Sequence, residues 1–304
     1  MFKVEKSCEE KGVCVGELSD RWMVGRVPSG GVVASMMLRA TMKVSDAPES
    51  FTPLSASITF LRKTEPGKEF RCEVRVVKRG KSFYVFETLM IQLNKERCRM
   101  ISLFGDVEKA LKQGPNRLFD GFQPPRLASV ERFVRLDGGD NSENSVRSRV
   151  KLFVDPKCAD VFVNCRKAQS NGEFDESTLL DREVRTSRNG GTTSYEGYMY
   201  FAEDVRVPVI DSCIYPVLLD AALPPVLGSH VAGWVPTLTW NIHFKSAYTK
   251  SSRVSFRFRT THIAGGYLEE DGEIWDMSTG KLLAISRQMA MVGVSQRRGT
   301  RSAL

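Results

Sequence analysis

The sequence predicts an α+β fold built from two diverged copies of one unit, a buried helix followed by an antiparallel meander. Three observations predict it. An apolar helical pattern occurs twice, at 28–42 and at 209–228. Each is followed by four strand-like runs rich in Val, Ile, Phe, Thr and Tyr, residues that suit a pleated surface. Strand and helix do not alternate as they would in a parallel sheet.

In chain order, Pro28-Ser-Gly-Gly-Val-Val-Ala-Ser-Met-Met-Leu-Arg-Ala-Thr-Met opens with Pro and Ser and is apolar almost all round, as a buried helix is. Strands are predicted over 53–62, 70–79, 82–93 and 97–107, punctuated by Gly67, Gly80 and Asn94. From 108 to 148 come turns and polar loops, with 137–147 expected to be mobile. Further strands are predicted within 149–165 and 179–206, broken by Arg188-Asn-Gly-Gly. The second helix is predicted over 209–228, with Pro216 marking its beginning or a kink and Pro224 and Gly228 its end. Strands over 235–246, 253–262, 266–276 and 281–294 follow, then a polar tail. The expected division is 12–107, a connecting segment 108–195, a second unit 196–294 and the tail 295–304.

A length of 304 residues fits two domains of roughly 100–200 residues each, and 41% hydrophobic residues suffice for packed cores. No run approaches the ~18 apolar residues of a membrane span, and the start is too charged for a secretory signal. The net charge of +8 suits an anionic ligand. Nucleic acid is not expected, because Lys and Arg form no long block. Seven cysteines without a C-x-x-C pair read as free thiols in a reducing compartment. His230, His243 and His262 complete no zinc motif, and neither a nucleophile elbow nor a phosphate loop is present. Any catalysis is therefore expected to use carboxylates, amides and hydroxyls, with no metal or redox cofactor. Gly30-Gly31 and Gly190-Gly191 read as ordinary turn or helix-start signals.

The two copies align as sequence. Ile58-Thr-Phe-Leu-Arg-Lys lies against Asn241-Ile-His-Phe-Lys-Ser, which sets Tyr84 on Tyr267 and Glu87 on Glu270. Three polar residues of the second copy then face apolar ones: Asp220 opposite Met37, Thr237 opposite Leu54 and Gln288 opposite Phe104. Taken singly each has a bland reading, as a solvated helix Asp, an ordinary strand Thr and a solvent-facing strand Gln. Their co-occurrence in one copy marks it as the chemical half, and a carboxylate in an apolar helix is costly without a purpose. His243 and His262 read as structural, since neither has an orienting carboxylate at a legible spacing.

With these residues in view the chain resembles the double-hotdog acyl-CoA thioesterases, of the thioesterase II type and its fungal thioesterase-like relatives. The resemblance covers most of 12–294 and is carried by Gly30-Gly-Val-Val-Ala-Ser-Met-Met-Leu-Arg-Ala, Ser55-Ala-Ser-Ile-Thr-Phe-Leu-Arg, Leu218-Leu-Asp220, Thr237-Leu-Thr-Trp-Asn-Ile-His-Phe and Leu283-Ala-Ile-Ser-Arg-Gln288. It implies two helix-wrapped antiparallel sheets forming a pseudo-dimer, with Asp220, Thr237 and Gln288 orienting the attacking water. Backbone N–H groups at a helix N-terminus would polarise the carbonyl. The Thr237 strand departs from the family's commoner Thr/Ser-x-Asp-His-Ser, so its local hydrogen bonding differs.

The implied substrate is an acyl-CoA or acyl-carrier thioester, in lipid or secondary metabolism, with assembly into homo-oligomers of double hotdogs. The competing reading is a non-hydrolytic acyl-thioester or carrier-protein binding module on the same scaffold. A hotdog dehydratase ranks below both, because no helix histidine is suitably placed. The expected location is the cytosol; Ser302-Ala-Leu304 resembles the Ser-Lys-Leu peroxisomal address without its basic middle residue.

Overall fold

The structure is a computed structural model that describes residues 4–7, 10–118, 122–127, 130–136, 143–160, 162, 193–207, 209–229 and 235–292. Strands β1 (Val4–Lys6) and β2 (Val13–Leu18) precede a two-residue ribbon, β3 (Met23–Val24) with β4 (Val27–Pro28), that delivers the chain to helix α1 (Gly30–Val44). Ten of the fifteen residues of α1 are buried, as its all-round apolar pattern predicts. The meander β5 (Thr52–Phe60), β6 (Lys68–Arg79), β7 (Phe83–Gln92) and β8 (Lys95–Gly105) matches the four predicted runs within about two residues. The β7–β8 turn places both Leu93 and Asn94 at positive φ, as a tight hairpin turn demands. Helix α2 (Val107–Gln113) follows, capped by Asp106, which accepts the Lys109 N–H at 2.9 Å.

The connection also contributes structure. Strand β9 (Val134–Arg135), helix α3 (Val146–Arg149), β10 (Val150–Val154) and β11 (Ser194–Phe201) bear out strands in both stretches where they were expected. Strand β12 (Ile210–Asp211) then leads to helix α4 (Tyr215–Ala221). This helix is far shorter than the predicted 209–228. Pro216 sits in its first turn, Ala222 is already extended, and Pro224-Pro225 forbid continuation. Residues 210–211 pair instead with β14 (Tyr248–Thr249). The second meander is β13 (Thr237–Phe244), β15 (Val254–Ala264), β16 (Tyr267–Asp276) and β17 (Leu282–Met291), with Gly265 and Gly266 at positive φ in the β15–β16 turn. Arg188-Asn-Gly-Gly, residues 137–142 of the loop expected to be mobile, His230 and the tail 295–304 lie outside the described residues.

Among the described residues, thirteen strands form one sheet in the order β1-β2-β6-β7-β8-β5-β13-β17-β16-β15-β11-β10-β9. The halves meet at the antiparallel seam between β5 and β13, where Ile58 stands opposite Trp240. Each half thus shows the same strand sequence outward from the seam, and β10–β11 flank β15 as β1–β2 flank β6. Helices α1 and α4 pack against each other, wrapped by the sheet. This is the double hotdog that the resemblance implies.

Strand registers correct the alignment of the two copies. Strands β5 and β13 carry the same bulge, at Leu54 and Leu238, so Thr237 corresponds to Pro53 rather than to Leu54. Beyond the bulge, Ser55 faces Leu103 and Thr239 faces Met289, which sets Gln288 on Ser102 rather than on Phe104. One strand further, Ser102 pairs with Phe86 and Gln288 with Glu270. Glu270 therefore takes the place of Phe86, and Glu87 corresponds to Asp271. A one-residue slip moves a side chain to the opposite face. Glu87 bonds Arg75 and Arg99, and Asp271 bonds Arg259 and Arg287, on the outer face, while Phe86 and Glu270 point inward and are buried.

Phe86 packs edge-on against Phe104 with ring centroids 5.4 Å apart, both fully buried. Phe86→Ala is expected to cost about 3–5 kcal/mol, read as a lowered denaturant midpoint.

Candidate active site

The structure places the three sequence-predicted residues on α4, at the start of β13 and on β17, all half-buried. Thr237 and Gln288 are brought together: the Thr237 hydroxyl donates to Gln288 Oε1 at 2.7 Å. Asp220 hydrogen-bonds to neither. Its Oδ2 instead accepts the Ser29 hydroxyl at 2.5 Å and the Gly31 N–H at 2.8 Å.

Ser29 is the N-cap of α1, yet its side chain makes no capping bond to its own helix. The carboxylate of Asp220 caps that helix from the other half of the chain, taking an orphan donor at the positive end of the dipole. The Gly31 N–H, a candidate for polarising a substrate carbonyl, is therefore already committed to Asp220. Two effects oppose each other at this carboxyl. Burial pushes its pKa up and dominates; Ser29, the Gly31 N–H and the positive charge of Arg147 on α3 pull it down. The balance leaves it above the ordinary aspartate value, which makes it a stronger base when ionised.

The close approach needs Gly31. A Cβ there would stand 2.3 Å from the Pro216 carbonyl oxygen and 2.7 Å from Asp220 Cβ. Gly30-Gly31 is thus more than a helix-start signal; the second glycine lets α1 and α4 meet.

Sequence reasoning missed Glu270. It is buried on β16, and its Oε1 accepts from Gln288 Nε2 at 2.8 Å. Its pKa is raised to about 8, first by burial and further by the Asp220 charge, against the pull of the Gln288 bond. Inward alternation of Leu268, Glu270 and Gly272 was the available signal, obscured by the misaligned copy. Because the folded chain holds this proton where the unfolded chain has released it, stability is expected to fall as pH rises from about 4.5 to 8. Denaturant midpoints at pH 5 and pH 8 measure this, and Glu270→Gln is expected to flatten the difference.

His262 does have a carboxylate partner, Glu269 at 3.1 Å, on an exposed strand end. Cys14, Cys72, Cys98, Cys158 and Cys213 are free, and burial pushes the Cys98 and Cys213 thiols up to about 12, so thiolate chemistry is suppressed. Among the described residues no group of three His, Cys, Asp or Glu side chains is placed to hold a metal ion, and no helix is long and apolar enough to cross a membrane.

The acyl-CoA thioesterase N-terminal domain family matches residues 18–105, and the corresponding C-terminal domain family matches 167–292. The chain belongs to the double-hotdog acyl-CoA thioesterase family. As a member it is a thioester hydrolase by class. Among solved structures, this thioesterase is similar to a candidate thioesterase II from Thermobifida fusca, at 21% identity, TM-score 0.74 and 96% coverage of each chain. A hot dog protein of unknown function from Alicyclobacillus acidocaldarius follows at 16% identity, TM-score 0.72 and 96% of each chain. An acyl-CoA thioesterase II from Mycobacterium marinum is similar at 14% identity, TM-score 0.65 and 97% of each chain. No curated protein matches the sequence.

Proposed function

We propose that this thioesterase hydrolyses an acyl-CoA thioester at the Asp220–Thr237–Gln288 group. The observation that carries the reading is a basic carboxylate, anchored by Ser29 and Gly31, whose charge acts on Glu270, the residue that holds the hydrogen-bonded Thr237–Gln288 pair. With its own hydrogen spent on Gln288, the Thr237 oxygen is left as an acceptor for a water hydrogen. Asp220 takes the other. The water oxygen adds to the carbonyl carbon as its proton passes to Asp220. Collapse of the tetrahedral adduct breaks the C–S bond, and the departing thiolate recovers the proton. A thiolate leaves readily, so positioning of water is the larger task.

The test is thiol release from acetyl-, octanoyl- and palmitoyl-CoA, expected to show turnover with at least one. Tight binding of all three without release would overturn hydrolysis in favour of a binding module.

A further inference from the structure

The geometry points to Glu270 as a further positioning residue, which anchors the Gln288 amide and must remain uncharged for hydrolysis. This rests on the reading of Asp220, Thr237 and Gln288 as the catalytic group.

Three observations meet at this side chain. The first is its place in the duplicated fold. The equivalent position of the N-terminal half is filled by Phe86, so an apolar group satisfies the packing there and a carboxyl serves another purpose. Burying a carboxyl where a hydrocarbon fits costs stability. The second is its hydrogen bonding. Glu270 Oε1 holds Gln288 Nε2 while Gln288 Oε1 holds Thr237, so the amide is fixed at both ends. The third is an unused atom. Glu270 is only 5% exposed, it forms no ion pair among the described residues, and its Oε2 is buried with no hydrogen-bond partner. A buried anionic oxygen in that state would be severely penalised, whereas a protonated carboxyl is tolerated.

The surroundings favour the neutral form from each packed element. Asp220 on α4 places a negative charge nearby, and Gln288 on β17 donates to one oxygen only. On β15 the residue opposite is Thr260, uncharged, and on β11 the Tyr195 hydroxyl is committed to the Leu223 carbonyl at 2.6 Å. Asp271, next along β16, adds negative charge, and the Arg147 positive charge acts on Asp220 and Tyr195. The site thus holds one negative charge, on Asp220, before attack. Hydrolysis then moves that charge to the carbonyl oxygen as Asp220 takes up the proton, and an ionised Glu270 would add a second negative charge that opposes it.

The experiment measures kcat and KM by thiol release from pH 6 to 9, on the best substrate of the acetyl-, octanoyl- and palmitoyl-CoA panel. Wild type, Glu270→Gln, Glu270→Met and Asp220→Asn are compared. Wild-type kcat is expected to fall about tenfold between pH 7 and pH 9, following a group that titrates at about 8. Glu270→Gln keeps an acceptor but cannot ionise, and its ratio between those pH values is expected to stay within about twofold. Glu270→Met releases the Gln288 amide; kcat at pH 7 is expected to drop about tenfold at unchanged KM, with a melting temperature no lower than wild type. A wild-type alkaline limb in Glu270→Gln, or wild-type kcat in Glu270→Met, would overturn the role of Glu270 alone, provided Asp220→Asn is inactive. Full activity in Asp220→Asn, or no turnover by wild type, would overturn the catalytic group and this inference with it.

Discussion

Asp220→Asn is expected to lower kcat for acyl-CoA hydrolysis by about 10²–10⁴-fold, the range that a general base contributes. The substitution is nearly isosteric. Its amide oxygen can still accept from the Ser29 hydroxyl and the Gly31 N–H, so the α1–α4 contact survives. What disappears is the ability to take a proton from water. Removing a charge whose burial is unfavourable is expected to leave the melting temperature equal or raised. Thiol release and calorimetry on the same preparation separate the two effects. A variant that loses less than about tenfold would remove Asp220 from the role of base.

The second large effect is expected at Gly31. A methyl group here collides with the backbone of α4 as well as with Asp220, and backbone does not yield as a flexible side chain does. Gly31→Ala is expected to cost about 1–3 kcal/mol through overpacking. It should also displace the N–H that holds Asp220, lowering kcat in the protein that remains folded. Gly30→Ala is the control: the nearest atoms to its Cβ are in the flexible Phe60 ring, at 3.3 Å, and Asp220 Oδ1, at 3.8 Å. Denaturant midpoints should therefore fall much further for Gly31→Ala than for its neighbour. Equal midpoints would show that the helices have room to spare.

Much of this was legible in the residues. Apolar periodicity located α1 and all eight meander strands, because each buries a continuous face. Asp220 stood out as a charge inside Val-Leu-Leu-Asp-Ala-Ala-Leu, and Thr237 and Gln288 through comparison of the copies. Register was not legible. The ungapped alignment sets Thr237 on Leu54, one residue away from the match that the shared bulges at Leu54 and Leu238 fix, and a side-chain period of two converts that slip into the wrong face. Glu270 was consequently matched to the outward Glu87, and its burial went unseen. The length of α4 was overestimated because its flanks are as apolar as the helix itself, so only Pro216 and Pro224 carried the boundary information. Gly31 could not be read either, since its need arises from a helix remote in sequence.

The seam between β5 and β13 also governs how the molecule is made. Its two strands lie about 180 residues apart, so at ~5–20 residues per second a ribosome needs roughly 10–40 s to deliver the second after the first. Throughout that interval the N-terminal half presents β5 as an open sheet edge. The strand Thr52-Pro-Leu-Ser-Ala-Ser-Ile-Thr-Phe60 carries no charged residue to discourage pairing with a neighbouring chain. The joint that unites the two halves is thus also among the last to close, and the nascent chain is most exposed to its own kind before β13 emerges.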